Sequence, residues 1–309
     1  MVNRQTLSKI GIGGWGIGGF AQKDPNNNDS QQIDALAYQF DKGLNFVEVN
    51  FWNSEGQSAE LIKQGLMKSS RSRDDIFIEQ AIYNYNLPTI KEVNDEFEKC
   101  LKTFDTDYID TLLFPMSSFV QYGFDELVEL TQSYLSSGKI HYTSVTNFNL
   151  EDLKRHHKIF GDKLFSHELH FSFEIRVNEE SGITDYADKN DILNLPYQPL
   201  RRNRTALQNW PLLVELAEKY EKTQNQIILN WMIHRGMHPL VKSTSIEHID
   251  DNLGSFEFEM ESSDYQELND FKVPHWTTPD IDWSRTIKGA TYVDQLPNIF
   301  DDEYQSQEK

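Results

Sequence analysis

Few side chains in this sequence have a type and spacing suited to chemistry, and most of them close short apolar runs. Glu48 ends one such run after Phe46 and Val47, and Glu168 and His170 alternate about Leu169 in another. Two carboxyls and an imidazole gathered in one place are either an acid/base pair, Glu48 with His170, or the beginning of a metal site. The plainer reading of His170 is a hydrogen-bonded residue near a pocket, and no metal is expected. Tyr83, Tyr85 and Tyr197 sit at the ends of other runs and are candidate proton donors, although tyrosines are common on the rims of folds. Arg201, Arg202 and Arg204 are the densest basic cluster, read either as a clamp for an anion such as a pyrophosphate or as a solvated loop paired with local acids. Gly11, Gly13, Gly14, Gly16, Gly18 and Gly19 lack the third glycine and helix start of a dinucleotide fingerprint, so close backbone approach explains them better.

These residues must be positioned by something, and the chain supplies an alternation of strand and helix that runs to about residue 256. Strands are expected at 9–15, 45–50, 76–82, 108–115, 141–147, 167–172, 192–198 and 238–243. Between them lie amphipathic stretches, the clearest at 89–104. There Ile90, Val93, Phe97, Leu101 and Phe104 share one face, and Thr89 with Glu92 has the spacing of a capping box. Gly43, Gly138 and Gly236 stand where helices hand over to strands. Eight such units predict a single-domain (β/α)8 barrel over residues 1–272, whose site lies at the C-terminal ends of the strands. A doubly wound sheet is the alternative. The aromatic segment 273–309 is expected to pack near the barrel mouth, because exposed rings at that density would be adhesive.

Composition narrows the partners. The 309 residues carry 29 Lys+Arg against 49 Asp+Glu, a net charge of −20. Such a field repels phosphodiester backbones and anionic lipid, so neither nucleic acid nor a membrane surface is expected. The single cysteine, Cys100, allows no intramolecular disulfide, and the first residues have no apolar core of a signal peptide. A soluble, cytoplasmic protein is expected.

Several segments resemble one family. The stretch 43–54, which carries Gly43, Asn45, Phe46, Glu48 and Asn53, is similar to the "GxNFxDTAxxYG" segment of aldo/keto reductases. Tyr108-Ile109-Asp110 resembles their "DYIDL", and Gly138-Lys139-Ile140 with Ser144 to Phe148 their "GKIRxxGVSNF". Gln198-Pro199-Leu200 resembles "SPL", and the segment 242–253 the cofactor loop "KSxxxxRxxENL". The resemblance implies a nicotinamide cofactor, usually NADPH, that passes a hydride to a carbonyl carbon. It also implies a tyrosine that protonates the oxygen, an aspartate and a lysine that strengthen that acid, and a histidine that orients the carbonyl. At those positions this chain has Asn53, Glu48, Ala81 and Pro115, so all four differ.

An amide cannot protonate an oxyanion, Ala81 removes the cation, and Pro115 removes both a side-chain and a backbone donor. The cofactor positions are better kept. By resemblance Asn147 and Glu168 meet the carboxamide, Phe171 supplies a ring face, and Leu200 lies near the pyrophosphate, for which the charge of the cluster begun by Arg201 independently suits that loop as a clamp. Lys242, Ser243 and His248 meet the 2′-phosphate end, and Asn252 the adenine. His248 replaces the usual arginine and Glu168 the usual glutamine, which leaves NAD(H) open beside NADP(H). Two enzymatic readings stay open beside a sensing or regulatory barrel without ordinary carbonyl reductase activity. One is an oxidoreductase with relocated groups, and the other is a non-redox acid/base enzyme using Glu48 and His170, each acting on an unknown small molecule.

Overall fold

The computed structural model describes residues 2 and 4–272, and the segment expected to cover the mouth, 273–309, lies outside the described residues. All eight expected strands form: β1 (Gly11–Ile12), β2 (Phe46–Val49), β3 (Phe77–Ala81), β4 (Ile109–Pro115), β5 (Ile140–Thr146), β6 (Leu164–His170), β7 (Leu193–Tyr197) and β8 (Leu240–Val241). They pair in parallel in the order β7-β6-β5-β4-β3-β2-β1-β8. The His238 N–H donates across the remaining seam to the Asn194 carbonyl at 3.0 Å. The result is a nearly closed barrel with helices outside, and the doubly wound alternative is excluded. β1 and β8 are shorter than expected, because the chain leaves the ladder after Gly13, whose N–H still donates to the Val241 carbonyl at 2.9 Å, and after Val241, to shape the mouth.

Helix boundaries follow local chemistry. The helix Ile90–Phe104 starts at Thr89 with the complete capping box, Glu92 accepting from the Thr89 N–H and hydroxyl at 2.9 Å, and buries Val93, Phe97, Leu101 and Phe104. Gly138 closes the helix Phe124–Ser137 in the left-handed region (φ 75°), where a Cβ would be strained. Among the described residues no helix is long and apolar enough to cross a membrane.

Strand parity decides what fills the barrel. Phe46, Phe77, Phe165, Leu193, Leu195 and Leu240 pack together at its N-terminal end, with Phe77 stacked on Phe165 at 4.6 Å and on Phe46 at 5.6 Å. The short helix Arg4–Thr6 caps this plug, Arg4 donating to the Phe165 carbonyl at 2.8 Å. Above the plug the filling turns polar: Thr111, Ser144 and Ser166 are all buried, their hydroxyls 2.8 and 2.7 Å apart in sequence, and the Ser166 hydroxyl donates to Glu79 at 3.0 Å. The apolar plug therefore carries the interior packing that the polar layer cannot. Phe77→Ala is expected to lower the unfolding free energy by about 3–5 kcal/mol, read as an earlier urea midpoint with an unchanged slope.

Candidate functional site

The C-terminal mouth holds a cavity of about 550 Å³. Its floor includes Glu48 from β2 and Glu168 from β6, both buried. One wall comes from the loops after β1, β2 and β3, with Trp15, Trp52, Asn53, Tyr83 and Tyr85. The opposite wall comes from β7, β8 and the loops that follow, with Tyr197, Leu200, Arg202, Lys242, Ser243, His248 and Asn252. His248 and Asn252 lie one turn apart on the helix Ile246–Leu253, whose first turn is capped by Ser245. Several non-glycine residues around this mouth are left-handed: Ser54, Glu55, Asn147, Gln198, Arg201, Arg202 and Asn203 have φ between 44° and 69°. Strain of this kind persists only where surrounding contacts impose it, and it concentrates at functional sites.

The glycine-rich turn is a close approach of backbone to the floor. The Gly14 N–H donates to Glu48 Oε2 at 3.1 Å, and a Cβ on Gly14 would sit 2.9 Å from the Glu48 carbonyl oxygen and 3.3 Å from Asn53 Nδ2. The donor to Glu48 is thus a backbone N–H. Burial is the main cause raising its pKa, and the Gly14 bond partly opposes it. Glu168 is raised well above the carboxylate range by burial and then by the like charges of Glu48 and Glu79, and its Oε2 has no hydrogen-bond partner. Glu79, beneath the floor, is pushed up to about 8 by burial, against the pull of the Ser144 and Ser166 hydroxyls. Opposite them Lys242 is lowered, by burial first and by the neighbouring charge of Arg202 second.

Of the residues singled out from the sequence, Glu48, Asn53, Glu168, Leu200, Lys242, Ser243, His248 and Asn252 line the cavity. Ala81 and Pro115 are buried at the ends of β3 and β4 and do not. His170 lies behind Tyr197, rings stacked at 5.1 Å, and burial followed by the Arg201 charge lowers its pKa to about 3. It is therefore neutral and does not reach Glu48. Among the described residues no three His, Cys, Asp or Glu side chains are placed to hold a metal. Asn147 sits just behind the wall, its Oδ1 accepting from the Tyr197 hydroxyl at 3.0 Å.

Two placements differ from expectation. Phe171 lies past the end of β6 and packs into the outer layer, stacked on Trp231 at 5.7 Å, so it offers no face to the cavity. The ring on that wall is Tyr197, which strand parity marks, since Leu193 and Leu195 of the same strand face the barrel interior. Arg201 is also withdrawn: its guanidinium donates to buried Glu174 at 3.0 Å, and Thr205 (2.6 Å) and Trp210 (2.9 Å) donate to the same carboxylate. Arg202 is the member of the cluster that lines the cavity, its guanidinium 4.8 Å over the Phe20 ring.

A parallel (β/α)8 barrel with its cavity walled by the loops at the strand C-termini is the architecture of a barrel enzyme class. Within that class the chain belongs to the aldo/keto reductase family, whose model matches residues 9–272. It is similar to the NADPH-dependent alpha-keto amide reductase of Saccharomyces cerevisiae, 28% identical over 69% of this chain and 71% of that protein. It is also similar to methylglyoxal reductase YeaE of Escherichia coli, 22% identical over 85% of this chain and 90% of that one. Among solved structures, a thermostable aldo-keto reductase, Tm1743, in complex with the inhibitor epalrestat superposes with a TM-score of 0.74 at 23% identity, covering 85% of this chain and 94% of that one. An aldo-keto reductase from Klebsiella pneumoniae in complex with NADPH gives 0.71 at 21% identity, covering 85% and 90%.

The buried carboxyls make stability depend on pH in a defined direction. Glu79 titrates at about 8 in the folded chain against an ordinary 4.5, so between these values the folded state holds a proton that the unfolded chain releases. The Glu79 contribution is fully present below pH 4.5 and is lost as pH rises to about 8, with one proton's slope of at most about 1.4 kcal/mol per pH unit. Above about pH 6.5, where the buried His156, His167 and His170 are neutral in the folded and the unfolded chain alike, urea midpoints are expected to decline with pH up to about 8. In Glu79→Gln, which keeps the acceptor for Ser166, the decline flattens by that one proton's share.

Proposed function

We propose that the mouth cavity binds a nicotinamide dinucleotide, NADP(H) in preference to NAD(H), and that the chain is an oxidoreductase-family barrel without ordinary carbonyl reductase activity. The observation that carries this reading is Lys242, which lines the cavity and whose ammonium is disfavoured by burial first and by the charge of Arg202 on the same wall second, inside a protein of net charge −20. A buried ammonium is relieved by a bound anion such as a phosphate. Ser243 stands beside Lys242, and the helix Ile246–Leu253 directs its N-terminal partial charge to the same end. Asn252 and His248 offer a polar and a stacking contact for the adenine, and Tyr197 a face for the nicotinamide, with Asn147 and Glu168 near its carboxamide. The relatives named for NADPH support this cofactor.

Bound there, the cofactor supplies a hydride. What the chain lacks is the partner acid: Asn53 stands where the family's tyrosine stands, and an amide has no proton to give at neutral pH. Ala81 leaves no ammonium to strengthen an acid, and Pro115 donates nothing to a carbonyl. A role in sensing, in regulation or in a repurposed reaction follows. The second reading, an active oxidoreductase with relocated groups, draws on Tyr83, Tyr85 and Tyr197, which all line the cavity. Since His170 is packed behind Tyr197, the pairing of Glu48 with His170 has no support in the geometry.

Titration of NADPH and NADH by tryptophan fluorescence tests the reading. NADPH is expected to bind more tightly, and Lys242→Ala to weaken NADPH by roughly tenfold or more with little effect on NADH. Aldehydes and quinones offered to the NADPH complex are expected to leave its absorbance unchanged. Steady oxidation would establish the second reading instead, and equal binding of the two dinucleotides would remove the assigned role of Lys242.

A further inference from the structure

Two buried glutamates near the mouth are partnered in opposite ways. Glu174 collects three donors, the Arg201 guanidinium at 3.0 Å, the Thr205 hydroxyl at 2.6 Å and the Trp210 indole N–H at 2.9 Å. Glu168, on β6 and lining the cavity floor, has no hydrogen-bond partner at Oε2. The ionisable groups that act on it are Glu48 on β2 and Glu79 on β3, both carboxyls, and its strand neighbours Thr146 on β5 and Leu195 on β7 carry no charge. A buried carboxylate oxygen without a donor is costly, whereas the same oxygen as the O–H of a neutral acid donates instead of accepting. Burial, and then the two carboxyls, push Glu168 in that direction. Asn147 completes the corner: its backbone N–H donates to the Glu168 carbonyl at 3.2 Å, and its side-chain Oδ1 is taken by the Tyr197 hydroxyl at 3.0 Å. What the Asn147 amide retains is N–H, so both polar side chains here are donors.

We propose that this corner reads the ring carboxamide of the dinucleotide through its carbonyl oxygen, with the Glu168 carboxyl O–H as the donor, and makes no use of the carboxamide N–H. The ring substituent that the site requires is therefore an acceptor, and a 3-acyl group satisfies it as well as an amide does. An ionised Glu168 would demand the reverse, because a carboxylate only accepts and would need the N–H. The inference rests on the dinucleotide reading and specifies which half of the carboxamide this chain selects.

The test uses oxidised NADP and two analogues altered only at that substituent, titrated calorimetrically at neutral pH. The 3-acetylpyridine analogue keeps the carbonyl and has no N–H, and the thionicotinamide analogue keeps the N–H groups but has sulfur, a weaker acceptor, in place of oxygen. The acetyl analogue is expected to bind within about threefold of NADP, and the thioamide roughly tenfold more weakly. Glu168→Gln, which still donates from the same place, is expected to preserve this order. Glu168→Met, which has no donor, is expected to bring the three ligands within about threefold of one another. The reverse order, with the acetyl analogue weakest, overturns the proposal, as does equal binding of all three to the unmodified protein. So does an order that survives in a folded Glu168→Met protein. In each of these outcomes NADP still binds, so the dinucleotide reading stands, whereas failure of all three ligands to bind removes that reading and this contact together.

Discussion

The rest of the interior is arranged around one difficulty, the placing of three carboxyls inside a barrel where, among the described residues, no cation is hydrogen-bonded to any of them. Glu48 and Glu168, on β2 and β6, face the mouth cavity, and Glu79, on β3, lies beneath them. Burial penalises the charged form of each, and each makes its neighbours harder to ionise. The surroundings answer with neutral polarity rather than countercharge: a backbone N–H for Glu48, and a row of hydroxyls for Glu79. That answer suits protonated or shared-proton carboxyls. It also explains why the packing of the barrel is concentrated in the aromatic plug below, since hydroxyls and carboxyls fill volume with little gain from leaving water.

The cavity inherits a division of labour from this interior. Its basic side, from the loops after β7 and β8, is built to face an anion, while its aromatic side, from the loops after β1 to β3, shares a floor with the carboxyls.

Much of this was legible in the sequence, and the reasons it was not wholly so are specific. The eight strands could be read because parallel strands buried on both faces are short, apolar and bounded by turn residues. The capping box at Thr89 and Glu92 fixed a helix start to the residue. Membership of the family could be read because segments such as 43–54 and 242–253 kept its spacing. Phe171 and Tyr197 were harder, because choosing between two aromatic residues at neighbouring strand ends needs the parity of each strand and the point where β6 leaves its ladder. Arg201 and Arg202 are adjacent and chemically identical, and the buried Glu174, far away in sequence, takes Arg201. Glu79 had been noted only as a charge near a strand end. Its setting depends on hydroxyls from three other strands, which no local pattern reveals.

The loop after β7 has a bearing on how substitution data for this protein would read. Arg201, Arg202 and Asn203 are consecutive left-handed residues, a conformation that each would give up in isolation. What holds them there is a bracket: the Glu174 carboxylate gripping Arg201, Thr205 and Trp210 from behind. The Glu174 bracket fixes the loop segment that carries Arg202 to the cavity. An alanine scan would therefore score Arg201, Thr205, Trp210 and Glu174 as contact residues, drawing a footprint wider than the molecule that made it.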